Sequence, residues 1–244
     1  METNNTFKLG DFEINRIGFR TMRATTGPGI WGDTPRKENA IKVIRTAIEH
    51  GVNFIYTADS YGPYTSELLV QEAIKPFGDK IMLATKGGAV KYRPGAVLSN
   101  GHPYYLRTAL EGSLRRLERE TIDLYFLHRV DPNIPIEESV GALAQLQKEG
   151  KIKHIGVSNV TLEQLESAQS VAKIDAVQNA FSYKDRRYES VVHKTTDDST
   201  FGKANKEGIS TNQLSLSWLL KYANNVISIP GTSSEAHLLE NLQA

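Results

Sequence analysis

Apolar residues in this chain follow two habits, short near-continuous runs and longer stretches with a single apolar stripe. The runs at 52–55, 81–85, 122–127, 154–157, 174–177 and 226–229 read as buried strands, and 17–22 as an earlier one. Ala40, Ile41, Ile44, Ala47 and Ile48 place one stripe on a helix that stops at Gly51. Leu106, Leu110, Leu114 and Leu117 mark another. Further helices are expected over 66–75, 136–148, 211–222 and 235–242, with a weak one at 188–193. Thr34 is placed to cap the first helix with Pro35 at its first position, and Thr161 with Gln164 forms a capping box for the one after the 154–157 strand. Residues 7–17 read as two short strands about Gly10 and Asp11, a hairpin ahead of the main fold.

Alternating strands and helices with near-continuous apolar strands specify a parallel sheet. This many units, with polar residues gathered just after each strand, favours a single α/β domain over 1–244, a (β/α)8 TIM barrel with an N-terminal β-hairpin. In such barrels the site lies at the C-terminal strand ends, where Tyr61, Lys86, His128, Ser158 with Asn159, Gln178 with Asn179, and Gly231 fall. The pattern yields seven core strands, and no strand candidate lies between 177 and 226. Either something else fills the seventh place or the residues that would form it are absent.

Composition narrows the chemistry. The 244 residues carry a net charge of +1 with both signs interspersed and no cysteine, so disulfides, thiolate metal sites and a cysteine nucleophile are excluded. Lys and Arg form no stripe, which argues against nucleic acid. No apolar stretch approaches the roughly 20 residues of a membrane span, and 1–18 have no signal-peptide pattern. A soluble cytoplasmic protein is the default; the oligomeric state is open, with a monomer slightly favoured. Gly27, Gly29 and Gly32 have G-x-G-x-x-G spacing, but Pro28 interrupts them and the helix opens later, so a mobile loop is expected there and not a dinucleotide turn. Asp131, Glu137 and Glu138 read as a solvated face rather than a glycosidase carboxylate pair.

Tyr61, Lys86 and His128 stand at equivalent ends of three consecutive strands. A phenol beside a cation is an acid of lowered pKa, and a neighbouring imidazole can orient a carbonyl. With hydride from a nicotinamide, that set would reduce a carbonyl.

At these residues the chain resembles the aldo-keto reductases, through GVNFIYTADSYG, LATKGG, SLRRLERETIDLYFLHRVD, GKIKHIGVSNV, AVQN and IPGTSSEAHLLEN. The glycine loop and the IPGTSS ending look most like a bacterial branch that includes pyridoxal reductase-like members. The resemblance implies NADP as cofactor and a small-molecule carbonyl substrate. It implies Tyr61 as general acid, Lys86 as the residue lowering its pKa, and His128 as the carbonyl-positioning histidine. Ser158, Asn159 and Gln178 would hold the nicotinamide carboxamide. Gly231, Thr232, Ser233, Ser234, His237, Glu240 and Asn241 would bind the adenosine phosphate and adenine.

Four departures accompany the likeness. Tyr56 stands where the family has the aspartate that pairs with the lysine, which leaves Lys86 without its counter-charge and predicts weak catalysis. Arg20 replaces a small residue near the cofactor and is expected to crowd the pocket. The seventh-strand segment is missing, and the C-terminal tail is short. The expected function is NADP(H)-dependent reduction of small aldehydes and ketones to alcohols, impaired by Tyr56. The alternative is a weak or inactive barrel acting as an NADP(H)-binding redox sensor or partner-binding protein.

Overall fold

A computed structural model describes residues 6–25, 30–182, 185–195 and 211–244. Gly27 and Gly29 of the glycine loop, and 196–210 within the stretch where a seventh strand was sought, lie outside these residues. A hairpin of β1 (Thr6–Leu9) and β2 (Phe12–Asn15) precedes the main sheet. There follow β3 (Phe19–Arg20), α1 (Lys37–Glu49), β4 (Phe54–Tyr56), α2 (Thr65–Ile74) and β5 (Met82–Gly87). A second hairpin, β6 (Ala89–Arg93) and β7 (Ala96–Ser99), leads into α3 (Pro103–Leu117). The chain continues through β8 (Ile122–Leu127), α4 (Ile136–Lys148), β9 (Ile152–Ser158), α5 (Leu162–Val171), β10 (Ala176–Gln178), α6 (Glu189–Thr195), α7 (Thr211–Tyr222) and α8 (Glu235–Leu242).

The main sheet runs in the order β10-β9-β8-β5-β4-β3 with every pairing parallel. Residues 226–229 extend it beyond β3. Ile17 bridges Ser228, Gly18 N–H donates to Ser228 O (2.8 Å), and Arg20 N–H donates to Pro230 O (3.0 Å). Among the described residues seven of the eight strand positions of a closed barrel are thus filled, with eight α-helices accompanying them. Among the described residues no strand pairs with the outer edge of β10, and α7 follows none. The barrel is incomplete among the described residues, as the sequence allowed, with the strand position between β10 and 226–229 unfilled.

Alternation along the strands divides the core in two. Leu83, Ile55, Tyr125, Leu127, Ile155 and Val157 face the helices. Phe54, Tyr56, Met82, Ala84, Leu124 and Phe126 face inward, and Leu9 and Ile14 of the hairpin join them. The vacant strand position is partly covered by aromatic packing. Phe181, just past β10, lies 5.6 Å from Trp218 and 4.9 Å from Tyr222 of α7, ring centre to ring centre. The Arg186 guanidinium sits 4.6 Å from the Trp218 ring.

Three local expectations need correction. Thr34 does not cap α1: its hydroxyl accepts from Arg36 N–H, only two residues on, and the helix begins at Lys37. The last strand, expected over 226–229, forms a single bridge, Ile17 to Ser228. Asp131 is buried, not solvated; its carboxylate accepts from Gly101 N–H and Asn133 N–H and braces the loop ahead of α4. Glu137 and Glu138 are exposed in the first turn of α4, where acids suit the helix dipole.

Candidate active site

The inward layer at the C-terminal ends of β3, β4, β5 and β8 brings together Arg20, Tyr56, Tyr61, Lys86 and His128. Tyr61 reaches it from the turn after β4, held by Ser66 N–H donating to its carbonyl (3.1 Å). Gly62 follows at φ 62°, and a Cβ there would stand 2.9 Å from Gly32 O, so the turn has room only for glycine.

Lys86 is fully buried near the end of β5. Its Nζ donates to Tyr61 Oη (2.8 Å) and to Thr57 O (2.9 Å), and lies 3.8 Å from the centre of the Tyr56 ring. The ammonium without its usual carboxylate is therefore received by a carbonyl and the face of Tyr56. Burial, then the charge on Arg20, hold its pKa well below that of a free lysine. Burial lifts the Tyr61 phenol to about 12, against a downward pull from Arg20. The Tyr56 phenol donates to Gln178 Oε1 (3.0 Å) and packs edge-on to Phe126 (5.2 Å). The Tyr56 side chain is folded into the core wall.

His128, directly after β8, stands edge-on to Tyr61 at 5.9 Å, and its Nδ1 is 3.3 Å from Ser60 Oγ. Burial and the cations Lys86, Arg129 and Lys91 keep it neutral, with a pKa well below 6.5. Beneath the site Asp59 is buried, with Oδ1 lacking a hydrogen-bond partner and its pKa raised by burial and by Glu67. Glu67 in turn is engaged by Arg116 Nε (2.6 Å) and Thr85 Oγ1 (2.6 Å). The sequence reading missed the roles of Thr57, Asp59 and Ser60, although all three stand in the strand-to-loop stretch that supplies Tyr61.

Ser158, Asn159 and Gln178 close the same layer on the β9–β10 side. Asn159 N–H donates to Gln178 O (3.0 Å) and its Nδ2 to His128 O (3.3 Å), knitting three strand ends together. Ser158 Oγ is buried beside the Tyr56 phenol, whose proton goes to Gln178, and the geometry gives it no hydrogen-bond partner among the described residues. The remaining predicted residues lie apart, on the loop 231–234 and α8. Thr232 Oγ1 accepts from Ser234 N–H (3.0 Å), and Ser234 Oγ caps the helix through His237 N–H (3.4 Å), so both hydroxyls serve the backbone. Ser233 is exposed and lines a small cavity with Arg36 and Asn39. Asn241 is buried on α8; Glu240 is half-buried and the His237 ring is exposed.

A cavity of about 1020 Å³ adjoins the site. It runs from Phe7 and Leu9, past β10 and 225–230, to Arg20, Tyr61 and His128. That volume is ample for a small organic molecule.

Known proteins share this sequence pattern and fold. The family model described as "Aldo/keto reductase family" matches residues 16–202 and 191–244. The chain belongs to the aldo/keto reductase family. An uncharacterized oxidoreductase of Schizosaccharomyces pombe is 38% identical over 259 residues, covering 98% of this chain and 84% of that protein. Pyridoxine 4-dehydrogenase of Escherichia coli is 34% identical over 267 residues, covering 99% and 93%. A solved glycerol dehydrogenase from Gluconobacter oxydans superposes with a TM-score of 0.78 at 25% identity, covering 100% of this chain and 91% of that one. An aldo/keto reductase from Klebsiella pneumoniae, solved in complex with NADP and acetate, gives 0.77 at 25% identity, covering 98% and 89%.

Both alignments to the curated relatives are longer than the 244 residues of this chain. The relatives therefore carry residues this reductase-family chain lacks. The two segments of the family match overlap at 191–202.

Proposed function

We propose that this single-domain protein is an NADPH-dependent carbonyl reductase acting on small aldehydes or ketones. The observation that carries the reading is the 2.8 Å hydrogen bond from Lys86 Nζ to Tyr61 Oη at the mouth of the cavity, with neutral His128 beside it. When bound, NADPH supplies the hydride that adds to the carbonyl carbon. Tyr61 donates its phenolic proton to the carbonyl oxygen, giving the alcohol. Lys86 stabilises the phenolate left behind, which regains a proton from water. With the Ser60 hydroxyl donating to Nδ1, His128 carries its proton on Nε2, free to hydrogen-bond the carbonyl and orient it.

The residues present fit a nicotinamide. Ser158 Oγ is a buried hydroxyl awaiting a partner beside the amides of Asn159 and Gln178, groups suited to a carboxamide. Gly231 supports the second half of the site: a Cβ there would stand 2.5 Å from Arg20 O, so backbone approaches backbone with no side chain between. Ser233, Arg36, His237, Glu240 and Asn241 are the groups offered to the adenosine phosphate and adenine. A second reading, a nucleotide-binding barrel with little turnover, draws support from Tyr56 and the depressed Lys86.

The test is titration with NADPH followed by quenching of tryptophan fluorescence, then assay with simple aldehydes. Micromolar binding and turnover that falls at least a hundredfold in Tyr61→Phe are expected. Tight binding without turnover would select the second reading. No binding at millimolar NADPH would remove both.

A further inference from the structure

Two arginines four residues apart have opposite fates. Arg16 is buried and fully employed: its Nε donates to Val226 O (3.1 Å), and its Nη2 to Leu220 O (2.6 Å) and Ala223 O. Arg20, in register with Tyr56 and facing the barrel interior, has no hydrogen bond, ion pair or ring partner for its guanidinium among the described residues. Its Nε is nonetheless shut off from water. Native proteins rarely leave a buried donor of a charged group idle unless a ligand completes it.

The surroundings agree on the sign of that ligand. Arg20, Lys91 and Arg129 line the cavity where Tyr61 and His128 open into it. Among the described residues the cavity's two carboxylates are already engaged, Asp175 by Lys173 (2.6 Å) and Asp185 by Arg187 (2.7 Å). The resemblance puts an aspartate at position 56 and a small residue at position 20, so Tyr56 removes a negative charge from this layer and Arg20 adds a positive one. The field of Arg20 reaches Tyr56, Tyr61 and Lys86, which places the guanidinium among the reacting groups.

We propose that Arg20 is a specificity residue that binds an anionic group on the substrate, so that the preferred carbonyl compound bears a carboxylate or phosphate while its carbonyl oxygen meets Tyr61. The planar guanidinium suits either anion through paired N–H donors. The proposal rests on the reductase reading above. The same chemistry could be offered to a phosphate of the cofactor, and the test separates the two sources.

The full chain, saturated with NADPH, is assayed with 4-carboxybenzaldehyde and with benzaldehyde. The wild type should favour the carboxylate by at least tenfold in kcat/KM. Arg20→Gln should bring the ratio close to one, chiefly through KM, and Arg20→Lys should retain part of it. NADPH dissociation constants should stay within about threefold across the three proteins. A wild-type ratio near one, or a ratio that survives in Arg20→Gln, overturns the proposal. So does a tenfold loss of NADPH affinity with the ratio intact, which would give the guanidinium to the cofactor. If neither aldehyde turns over, the reductase reading fails but Arg20 is still tested by calorimetry. Binding of 4-carboxybenzaldehyde that exceeds benzaldehyde and weakens tenfold in Arg20→Gln or Arg20→Lys supports the anion site; equal binding overturns it.

Discussion

The residue that most distinguishes this site is Tyr56, because it changes what Lys86 can be. With a carboxylate beside it a buried lysine stays charged; against a tyrosine face and one carbonyl, burial and Arg20 push it toward the neutral amine. Tyr56→Asp should restore the ammonium and raise kcat for aldehyde reduction at least tenfold, with NADPH affinity changed by less than about threefold. Steady-state kinetics beside fluorescence titration check this; no gain in a protein that binds NADPH would mean that the site is limited elsewhere. His128 gives a second prediction, on stability. Its pKa is depressed in the folded state, so below the unfolded value of about 6.5 the unfolded chain takes up a proton that the folded chain refuses. Stability should therefore fall with acidification from about pH 6.5 down to the folded pKa, by up to about 1.4 kcal/mol per pH unit from this group. Urea unfolding at pH 7 and pH 5.5 should show a smaller difference in His128→Gln than in the wild type.

At the scale of elements, legibility in the sequence followed the number of partners an element has. Runs such as 122–127, buried between two neighbouring strands, were plain, and β8 has those bounds. The β6–β7 hairpin escaped notice although Pro94 and Gly95 mark its turn, because it pairs only with itself and its half-exposed residues carry a weak apolar pattern. Position 56 was legible as a departure, but that the Tyr56 phenol would turn to Gln178, 122 residues away, was not. Nor was the clamp by Arg16, whose partners all lie more than two hundred residues downstream. This clamp fixes the end of α7 and the start of the last strand, which has only one strand beside it among the described residues. Arg16→Met should remove charge-assisted bonds to three carbonyls and cost about 2–4 kcal/mol. It should also weaken NADPH binding by loosening 226–231. Arg45 makes a comparable clamp on an exposed face, to Ala73 O and Glu72 O. Arg45→Met should cost about 1 kcal/mol or less and leave binding as it was, and thermal unfolding of the two variants compares them directly.

For the molecule as a whole, the vacant strand position sets both its weakness and its responsiveness. A barrel normally abolishes sheet edges; among the described residues β10 and 226–229 each keep one, facing a cavity of about 1020 Å³ near which Phe181, Trp218 and Tyr222 pack together. The proposed nicotinamide groups, Ser158 and Gln178, belong to one flank of that opening, and the loop 231–234 follows the other. A cofactor touching both flanks stabilises the folded state in proportion to its affinity, by about 2.7 kcal/mol at a hundred times its dissociation constant. In a chain of this size that corresponds to a rise in Tm of roughly 5–10 °C. The gain should be local as well as global. Amide hydrogen exchange at 176–178 and 226–229 should be fast in the free protein and slow with NADPH, while β5 and β8, buried on both sides, are protected throughout. A Tm unmoved by millimolar NADPH, with both edges still exchanging fast, would show that the opening is not where the cofactor binds. The Ser158 hydroxyl would then be a buried group with no ligand to serve.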